Sequence, residues 1–415
     1  MFSQTLARFR AMRPPVRSLV FLCWINSFTS GLTGIFIQIF LYQRFNNLSL
    51  NILATMSLYT GLMVGFCVTG WLASRLTLNI KMGFLWSFVI MGVATPAFLY
   101  THSIASALWV SLLCGIGQGV YYLTVNTFEL SETYKSERDF YSSVLSAGNQ
   151  ILSLLGPACA TSLLWLSGVV LHIGTFTLLF VVAPAVYLLG FLCFKNIRDY
   201  YPKPITQADL AHFFVDRRNQ YAQIYTAGTG FQQTLGVIVP PLVIFFILGS
   251  ALHVGIYNTF FAVFSAFCVL VVAQYRTPSN RLRIYALTTV GLVCVISLFG
   301  YLFSFVALVI FTIIEGILSP LNNISSHVID LDSMEIGRKE SDFYATMLLR
   351  DFSLWVWRMV GGGVFLYVIN FFHTQKEYLS VGLYLLATGL ACTYLGAYFL
   401  VKKMQTESTN LLQSS

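Results

Sequence analysis

Charged residues are scarce in this sequence of 415 residues. Asp, Glu, Lys and Arg together make up 10% of it, whereas hydrophobic residues make up 57% and the mean hydropathy is +0.73. A soluble domain carries about 25% charged residues, and one core cannot bury this much apolar surface. The composition therefore excludes a soluble globular protein and predicts a polytopic membrane protein.

The sequence also lacks the residue patterns on which common enzyme chemistries depend. Its eight cysteines all lie inside apolar runs and show no Cys-x-x-Cys or Cys/His ligand spacing. Neither a disulfide framework nor a zinc site is therefore expected. Because there is also no nucleophile beside a base and no phosphate-binding loop, we predict no enzyme activity, no catalytic residue, no metal and no cofactor.

What the sequence contains instead is a succession of apolar runs. A helix that crosses a bilayer needs about 20 predominantly apolar residues. Twelve runs have roughly this length: 18–42, 50–73, 82–101, 104–129, 141–166, 169–194, 220–248, 252–274, 284–304, 306–329, 343–370 and 378–401. We predict an all-α polytopic membrane protein with twelve transmembrane helices.

Positive charge is concentrated in the segments on one side of these runs. The net charge is +8. The cations of that side are Arg8, Arg10, Arg13, Arg17, Arg75, Lys81, Lys135, Arg138, Lys195, Arg198, Lys203, Arg217, Arg218, Arg276, Arg281, Arg283, Lys402 and Lys403. Loops on the other side contain only Arg44 and Lys376. The positive-inside rule places both termini in the cytoplasm of a plasma or bacterial inner membrane, with lipids rather than nucleic acid as partners.

The longest connector divides the chain nearly in half. Residues 195–218 are polar and interrupted by Pro202 and Pro204, and they predict a cytoplasmic linker with a short amphipathic helix. The predicted domains are a six-helix bundle at 1–194, the linker at 195–218, a second six-helix bundle at 219–402 and a flexible tail at 403–415.

Short internal matches indicate that the two bundles are parallel repeats. Each match pairs corresponding spans in the two halves. The matches are Gly65-Phe66-Cys67 with Ala266-Phe267-Cys268 at an offset of 201, Gln118 and Asn126 with Glu315 and Asn323 at 197, and Asp139-Phe140-Tyr141 with Asp342-Phe343-Tyr344 at 203. Their order and nearly constant offset favour duplication of a six-helix unit.

Four ionisable residues lie inside two neighbouring apolar runs. Glu315 is in the tenth run, and Arg350, Asp351 and Arg358 are in the eleventh. At about 1.5 Å per residue, Glu315 and Arg358 lie ~22 and ~24 Å from the connector between these runs, so they share a depth. Charge in hydrocarbon predicts either a substrate or proton site near the bilayer midplane or a buried pair that holds two helices together. Asp351 and Arg358, seven residues apart, share a face.

Other polar residues extend the predicted substrate and proton site. They lie in the first, fourth and tenth runs: Asn26, Thr33, Gln118, Tyr121, Asn126 and Asn323. A polar stripe in a spanning helix either faces a water-filled cavity or makes interhelical hydrogen bonds. The glycines of the sequence GIGQG at 115–119 favour close helix contact over approach to a ligand. At the N-terminus, the basic segment before Pro14 and Pro15 predicts either a short interfacial helix that these prolines end or a flexible tail.

Twelve spans in two parallel halves, cytoplasmic termini and a long central loop resemble the major facilitator superfamily over essentially the whole chain. The family's loop signature after span two, Gly-x-Leu-Ala-Asp-Arg-x-Gly, is similar to residues 70–77, with Arg75 in place and Lys81 downstream. This chain departs from the signature at Ser74, where the family has Asp, and at Thr77, where it has Gly.

The resemblance implies a cytoplasmic gate and a transport function. The family closes its cytoplasmic side through this loop and an acid at the end of span four, which implies pairs of Arg75 with Glu129 and of Arg276 with Asp332. It also implies a secondary transporter, for which we expect a small charged or zwitterionic solute, proton symport through Glu315 and a monomeric protein. Gly156-Pro157 is similar to a motif of drug antiporters, although Gly115 stands where those proteins have Arg. Efflux of hydrophobic compounds, which the 16% aromatic content would suit, is an alternative. A non-transporting receptor or a lipid scramblase is an alternative of another class.

Overall fold

The computed structural model describes residues 9–133, 135–202, 217–272, 281–335 and 343–414. Within them the chain forms twelve helices and no strand. The helices are α1 (Pro14–Phe45), α2 (Leu48–Arg75), α3 (Met82–Ala97), α4 (Ile104–Glu132), α5 (Lys135–Trp165), α6 (Thr177–Leu188), α7 (Arg217–Leu248), α8 (Ala251–Val272), α9 (Arg281–Leu302), α10 (Phe305–Glu335), α11 (Phe343–Phe371) and α12 (Gln375–Ser414). Short helical pieces extend α3 (Phe98–Tyr100), α5 (Leu166–Val170) and α6 (Gly190–Phe194).

The helices follow the predicted spans in number and order, with some bounds displaced. Residues 403–414, predicted as part of a flexible tail, continue α12 as a helix. Among the described residues, ten helices are long and apolar enough to cross a membrane, and these are all except α5 and α8. Those two helices occupy the positions predicted for spans five and eight. The all-α fold class is confirmed. The amphipathic helix predicted within 195–218 falls largely outside the described residues.

The N-terminal prolines separate two helical stretches. Residues 9–11 are helical and this stretch ends before Pro14, as predicted, while the prolines also begin α1. Pro14 is the first residue of α1, where a residue without an N–H group leaves no intrahelical hydrogen bond unmade. Before it, Phe9 stacks on Trp24 of α1 at 6.0 Å between ring centroids. Arg13 donates a hydrogen bond to the backbone carbonyl of Glu132, and its guanidinium lies 3.7 Å from that residue's carboxylate.

The boundary between the fifth and sixth spans lies later than predicted. We expected it between residues 166 and 169, but α5 continues as a π-helix over Leu166–Val170, and α6 begins only at Thr177. His172 has a φ of +53°, in the left-handed region. This conformation ends the helix, and periodicity within an apolar run gives no sign of it.

The described helices group into two compact units. Unit 1 comprises Met1–Leu50, Ser57–Pro204 and Ser250–Ala262. Unit 2 comprises Asn51–Met56, Ile205–Gly249 and Val263–Ser415. In unit 1, α1 packs against α5 and α6, and α3 packs against α4 and α6. In unit 2, α7 packs against α11 and α12, and α9 packs against α10 and α12. Each pairing recurs six helices later in the chain, as expected for two parallel six-helix repeats.

Glycines bring α2 and α4 into backbone contact. A Cβ placed on Gly119 would collide with the carbonyl oxygen of Leu62, and one on Gly115 would collide with that of Leu58. No larger residue fits at either position without moving a helix. The predicted role of these glycines in close helix contact is confirmed.

The Gly-Pro pair of α5 also has a packing role. A Cβ on Gly156 would lie 2.9 Å from the Cα of Gly31 in α1, which is closer than real Cβ atoms approach. The crossing of α1 and α5 therefore accounts for Gly156 without any reference to drug export.

Candidate functional site

The guanidinium of Arg358 is held inside unit 2 by α7. Arg358 lies near the middle of α11 and is 7% exposed. Its Nε and Nη2 both donate to Oε1 of Gln233, at 2.8 and 2.6 Å. The hydroxyl of Thr234 donates to the carbonyl oxygen of Arg358 at 3.0 Å. Gly230 permits this approach, because a Cβ there would lie 2.8 Å from the carbonyl oxygen of Leu354. The guanidinium is thus fixed by a neutral amide on a neighbouring helix.

Glu315 is not the partner of Arg358 in this structure. Glu315 lies half-buried in α10 and makes no hydrogen bond or ion pair within the described residues. The sequence allowed either a substrate or proton site or a buried pair of Glu315 with Arg358, and the structure does not contain that pair. That Glu315 belongs to a substrate or proton site stays a prediction.

Asp351 and Arg350 point in different directions, as their 100° separation around the helix requires. Arg350 donates a hydrogen bond to the carboxylate of Asp330 on α10. Asp351 is 6% exposed and makes no hydrogen bond within the described residues. Asp351 and Arg358 thus place a buried anion and a buried cation on the same face of α11.

Polar groups of α1 mostly bond to their own helix or to α5. The hydroxyls of Thr29 and Thr33 donate to carbonyls one turn earlier, each at 2.9 Å. Ser27 donates to Oδ1 of Asn149 in α5 at 2.8 Å. Asn26 is buried and makes no hydrogen bond within the described part of the chain. The hydroxyl groups of Ser27, Thr29 and Thr33 therefore make hydrogen bonds within α1 or to α5 instead of facing a cavity. Among these α1 residues, only the amide of Asn26 makes no hydrogen bond within the described residues.

The remaining predicted site residues lie on α4 of unit 1 and α10 of unit 2. Gln118 and Asn126 of α4 are half-buried and make no hydrogen bond among the described residues. Tyr121 is buried, and its hydroxyl lies 3.5 Å from the carbonyl oxygen of Leu22. Asn323 is exposed on α10. That residues of α4 share one site with Arg358 stays a prediction.

The predicted cytoplasmic gate has a different arrangement. Glu129 is 8% exposed and accepts a hydrogen bond from the hydroxyl of Tyr141 at 2.9 Å. Arg75 is exposed, stacks over the ring of Trp71 at 5.9 Å, and makes no ion pair within the described residues. The implied pair of Arg75 with Glu129 is therefore not formed here.

The second predicted gate pair cannot be traced in the same way. Arg276 lies outside the described residues, and so does the side chain of Asp332, although its backbone belongs to α10. The pairing of Arg276 with Asp332 stays a prediction.

Sequence reasoning missed three residues of these sites. Gln233 was missed because a single amide in an apolar run is common, although the pair Gln232-Gln233 was a visible signal. Asp330 was assigned to the polar connector, whereas α10 continues to Glu335. Tyr141 was read as part of a repeat match only.

Comparisons with known proteins give the family. A sequence model described as Major Facilitator Superfamily matches residues 19–335, whereas a search of curated proteins found no match. The crystal structure of the human organic anion transporter MFSD10 (TETRAN) is similar at 13% identity, covering 93% of this chain and 99% of that one with a TM-score of 0.63. That of the nucleoside transporter NupG is similar at 14% identity, covering 94% and 100% with a TM-score of 0.63. Identities this low show a shared fold. Since the matched residues make up well over half of its length, the chain belongs to the major facilitator superfamily and is a membrane transporter.

Proposed function

We propose that this transporter moves a small organic solute that carries a carboxylate or a zwitterionic charge, by alternating access and with proton coupling. The solute site consists of Arg358, Asp351 and Gln233 in unit 2. The observation that supports it is the pair of buried, opposite charges on one face of α11, with the cation bonded to a neutral amide of α7.

The Arg358 guanidinium has the geometry and the charge to bind a carboxylate. It is planar, always charged and offers parallel donors that match two carboxylate oxygens. In the structure its Nε and Nη2 converge on one oxygen of Gln233. Because hydrogen bonds between two charged groups are stronger than those to a neutral amide, a solute carboxylate can displace Gln233 from these donors.

Asp351 supplies the complementary charge for a zwitterion. Its carboxylate is buried without a hydrogen bond from the described residues, which is a costly state that a bound ammonium group would relieve. Seven residues of helix separate the two Cα atoms by roughly 10 Å along the axis. An anion without an ammonium group would use Arg358 alone.

The structural neighbours support a small organic solute. MFSD10 is described as an organic anion transporter and NupG as a nucleoside transporter. An organic anion is the class that Arg358 would recognise. The nucleoside transporter shows that the same fold also carries neutral solutes, so the charge of the solute must be tested directly.

Glu315 is the group proposed to couple transport to protons. It is the half-buried carboxyl of α10, and no described residue neutralises it. A carboxyl group within the membrane can take up a proton on one side and release it on the other. Driven accumulation would then depend on Glu315, whereas exchange of solute for solute would not.

The test is counterflow into proteoliposomes with labelled glutamate, alanine and uridine, which represent an anion, a zwitterion and a neutral nucleoside. We expect glutamate or alanine to be carried, and Arg358→Lys to weaken its uptake. Arg283→Lys, an exposed arginine of the same unit, is the matched control and should leave uptake unchanged. Carriage of uridine alone, or of hydrophobic dyes alone, would refute the charged solute. Lipid scrambling without any solute uptake would refute transport itself.

A further inference from the structure

The loop between α2 and α3, residues 76–81, lacks the acid and the glycine of the family signature. Ser74 is buried and donates to the carbonyl oxygen of Trp71 at 2.9 Å, so it holds no cation. Leu78 N–H bonds to the carbonyl oxygen of Ala73 at 3.1 Å, which makes Thr77 the residue that turns the chain after the helix. Thr77 has a φ of +48°, a left-handed conformation that a β-branched residue rarely adopts. The turn is therefore strained by its own sequence.

The segment that follows α6 binds this loop. Nδ2 of Asn79 donates to Oδ1 of Asp199 at 2.7 Å, and Nζ of Lys81 lies 3.5 Å from the same oxygen. The backbones bond as well: Ile80 N–H donates to the carbonyl oxygen of Tyr200 at 3.0 Å, and Tyr200 N–H donates to Oδ1 of Asn79 at 3.2 Å. Residues 79–81 with 199–200 are named the clasp.

The clasp is anchored on the rest of unit 1. The ammonium of Lys81 lies 4.7 Å from the centre of the Phe194 ring at the end of α6. The ring of Tyr200 meets that of Phe128 of α4 edge to face, at 6.3 Å. The loop and the start of the predicted linker are thus held against two spanning helices by the same few residues.

The charge of Asp199 suits this role. The hydrogen bond from Asn79 and, after it, the charge of Lys81 hold the pKa of Asp199 below its ordinary value. Its carboxylate is therefore ionised at neutral pH and remains a partner for both side chains.

We infer that Asp199 and Asn79 are positioning residues for the gating loop: they replace the carboxylate that the loop itself lacks and hold its strained turn in place. The loop and the first residues of the linker then move as one body during the transport cycle. The consequence for transport rests on the proposed function, whereas the structural part does not.

Hydrogen exchange of the purified full-length protein tests the structural part. In Asp199→Ala, the amides of residues 78–82 and of Tyr200 should exchange at least about five times faster than in the unmodified protein. Lys195→Ala, a neighbouring exposed cation without a described partner, should leave them unchanged. Thr77→Gly should restore slow exchange to Asp199→Ala, because glycine adopts the left-handed turn without strain. Unchanged exchange in Asp199→Ala, or a failure of Thr77→Gly to restore it, would overturn the inference.

Counterflow of glutamate, alanine and uridine tests the consequence. For whichever of the three probes the unmodified protein carries, Asp199→Ala should lower the maximal rate at least threefold and leave the half-saturating concentration unchanged, and Thr77→Gly should rescue the rate. Normal rates in Asp199→Ala would overturn the positioning role. Absence of counterflow by the unmodified protein would instead overturn the proposed function, while the exchange result would stand.

Discussion

Units 1 and 2 share their helix pairings and differ in how they use buried charge. Among the described residues, unit 1 buries the acidic side chain of Glu129, which accepts a hydrogen bond from Tyr141, and pairs Arg13 with Glu132. Unit 2 pairs Arg350 with Asp330 and in addition buries both Asp351 and Arg358. Both units therefore contain an ion pair, and unit 2 adds a buried acidic and a buried basic side chain on one helix.

The repeat offset shows what changed between the two units. At 203 residues before Arg358 and Asp351 stand Leu155 and Gly148. Gly148 lies directly beneath the indole of Trp24, so a carboxylate there would have no room. Leu155 is exposed. The first repeat therefore has an uncharged residue at both positions, and the proposed pair of charges on α11 has no counterpart there.

The largest effect on solute binding is expected when the charge of Arg358, which unit 1 lacks at the corresponding position, is removed. Arg358→Leu gives unit 2 the residue of unit 1 and should abolish solute binding. Arg358→Lys keeps the charge but loses the planar fork, and should weaken binding by about 1.5 to 3 kcal/mol, roughly 10- to 150-fold. Binding is measured by the solute concentration that gives half-maximal counterflow. If the lysine variant bound normally while its thermal stability fell, Arg358 would be a structural residue only.

The second difference between the units that can be tested is at Glu315, whose repeat counterpart is the neutral Gln118. Glu315→Gln should keep solute exchange but lower concentrative uptake under an inward proton gradient to the level reached without the gradient. The matched control is Glu377→Gln, the same change at an exposed carboxyl group of unit 2. Unchanged accumulation in Glu315→Gln would remove this residue from proton coupling.

The shared frame can be tested at the contact of α2 with α4. Gly119→Ala should destabilise the protein by about 1 to 3 kcal/mol, because the added methyl group collides with the carbonyl oxygen of Leu62. Gly34→Ala, where a Cβ meets nothing within 4 Å, is the control. The midpoint of thermal unfolding in detergent checks both. Equal midpoints would mean that α2 and α4 separate without cost.

The order of the helices could be predicted because each spanning helix corresponds to a long apolar run. The close contact of α2 with α4 could be predicted because glycines recur at helical spacing in α4. The sequence also predicted buried charge on α10 and α11, because charged residues are easily recognised inside an apolar run. It did not predict the partners, since pairing depends on the rotation and shift of one helix against another. Arg358 meets Gln233 of α7 rather than Glu315, although Glu315 lies at the matching depth. The left-handed conformations of Thr77 and His172 could not be predicted either, because neither residue type is typical of that conformation.

The smallest expected effect is on stability and concerns Tyr141. It tests whether Glu129 is bound by Tyr141, as in this structure, or by Arg75, as the family's gate implies. Tyr141→Phe removes the hydroxyl that bonds to the buried carboxyl group of Glu129, and should cost about 0.5 to 1.5 kcal/mol because one hydrogen bond to that group is lost. Tyr100→Phe, an exposed tyrosine of unit 1, is the control and should change nothing. Arg75→Ala should cost less than Tyr141→Phe, since Arg75 contacts only the Trp71 ring among the described residues. The midpoints of thermal unfolding rank the three variants. A larger loss for Arg75→Ala than for Tyr141→Phe would restore Arg75 as the partner of Glu129 and contradict the neutral pairing in unit 1.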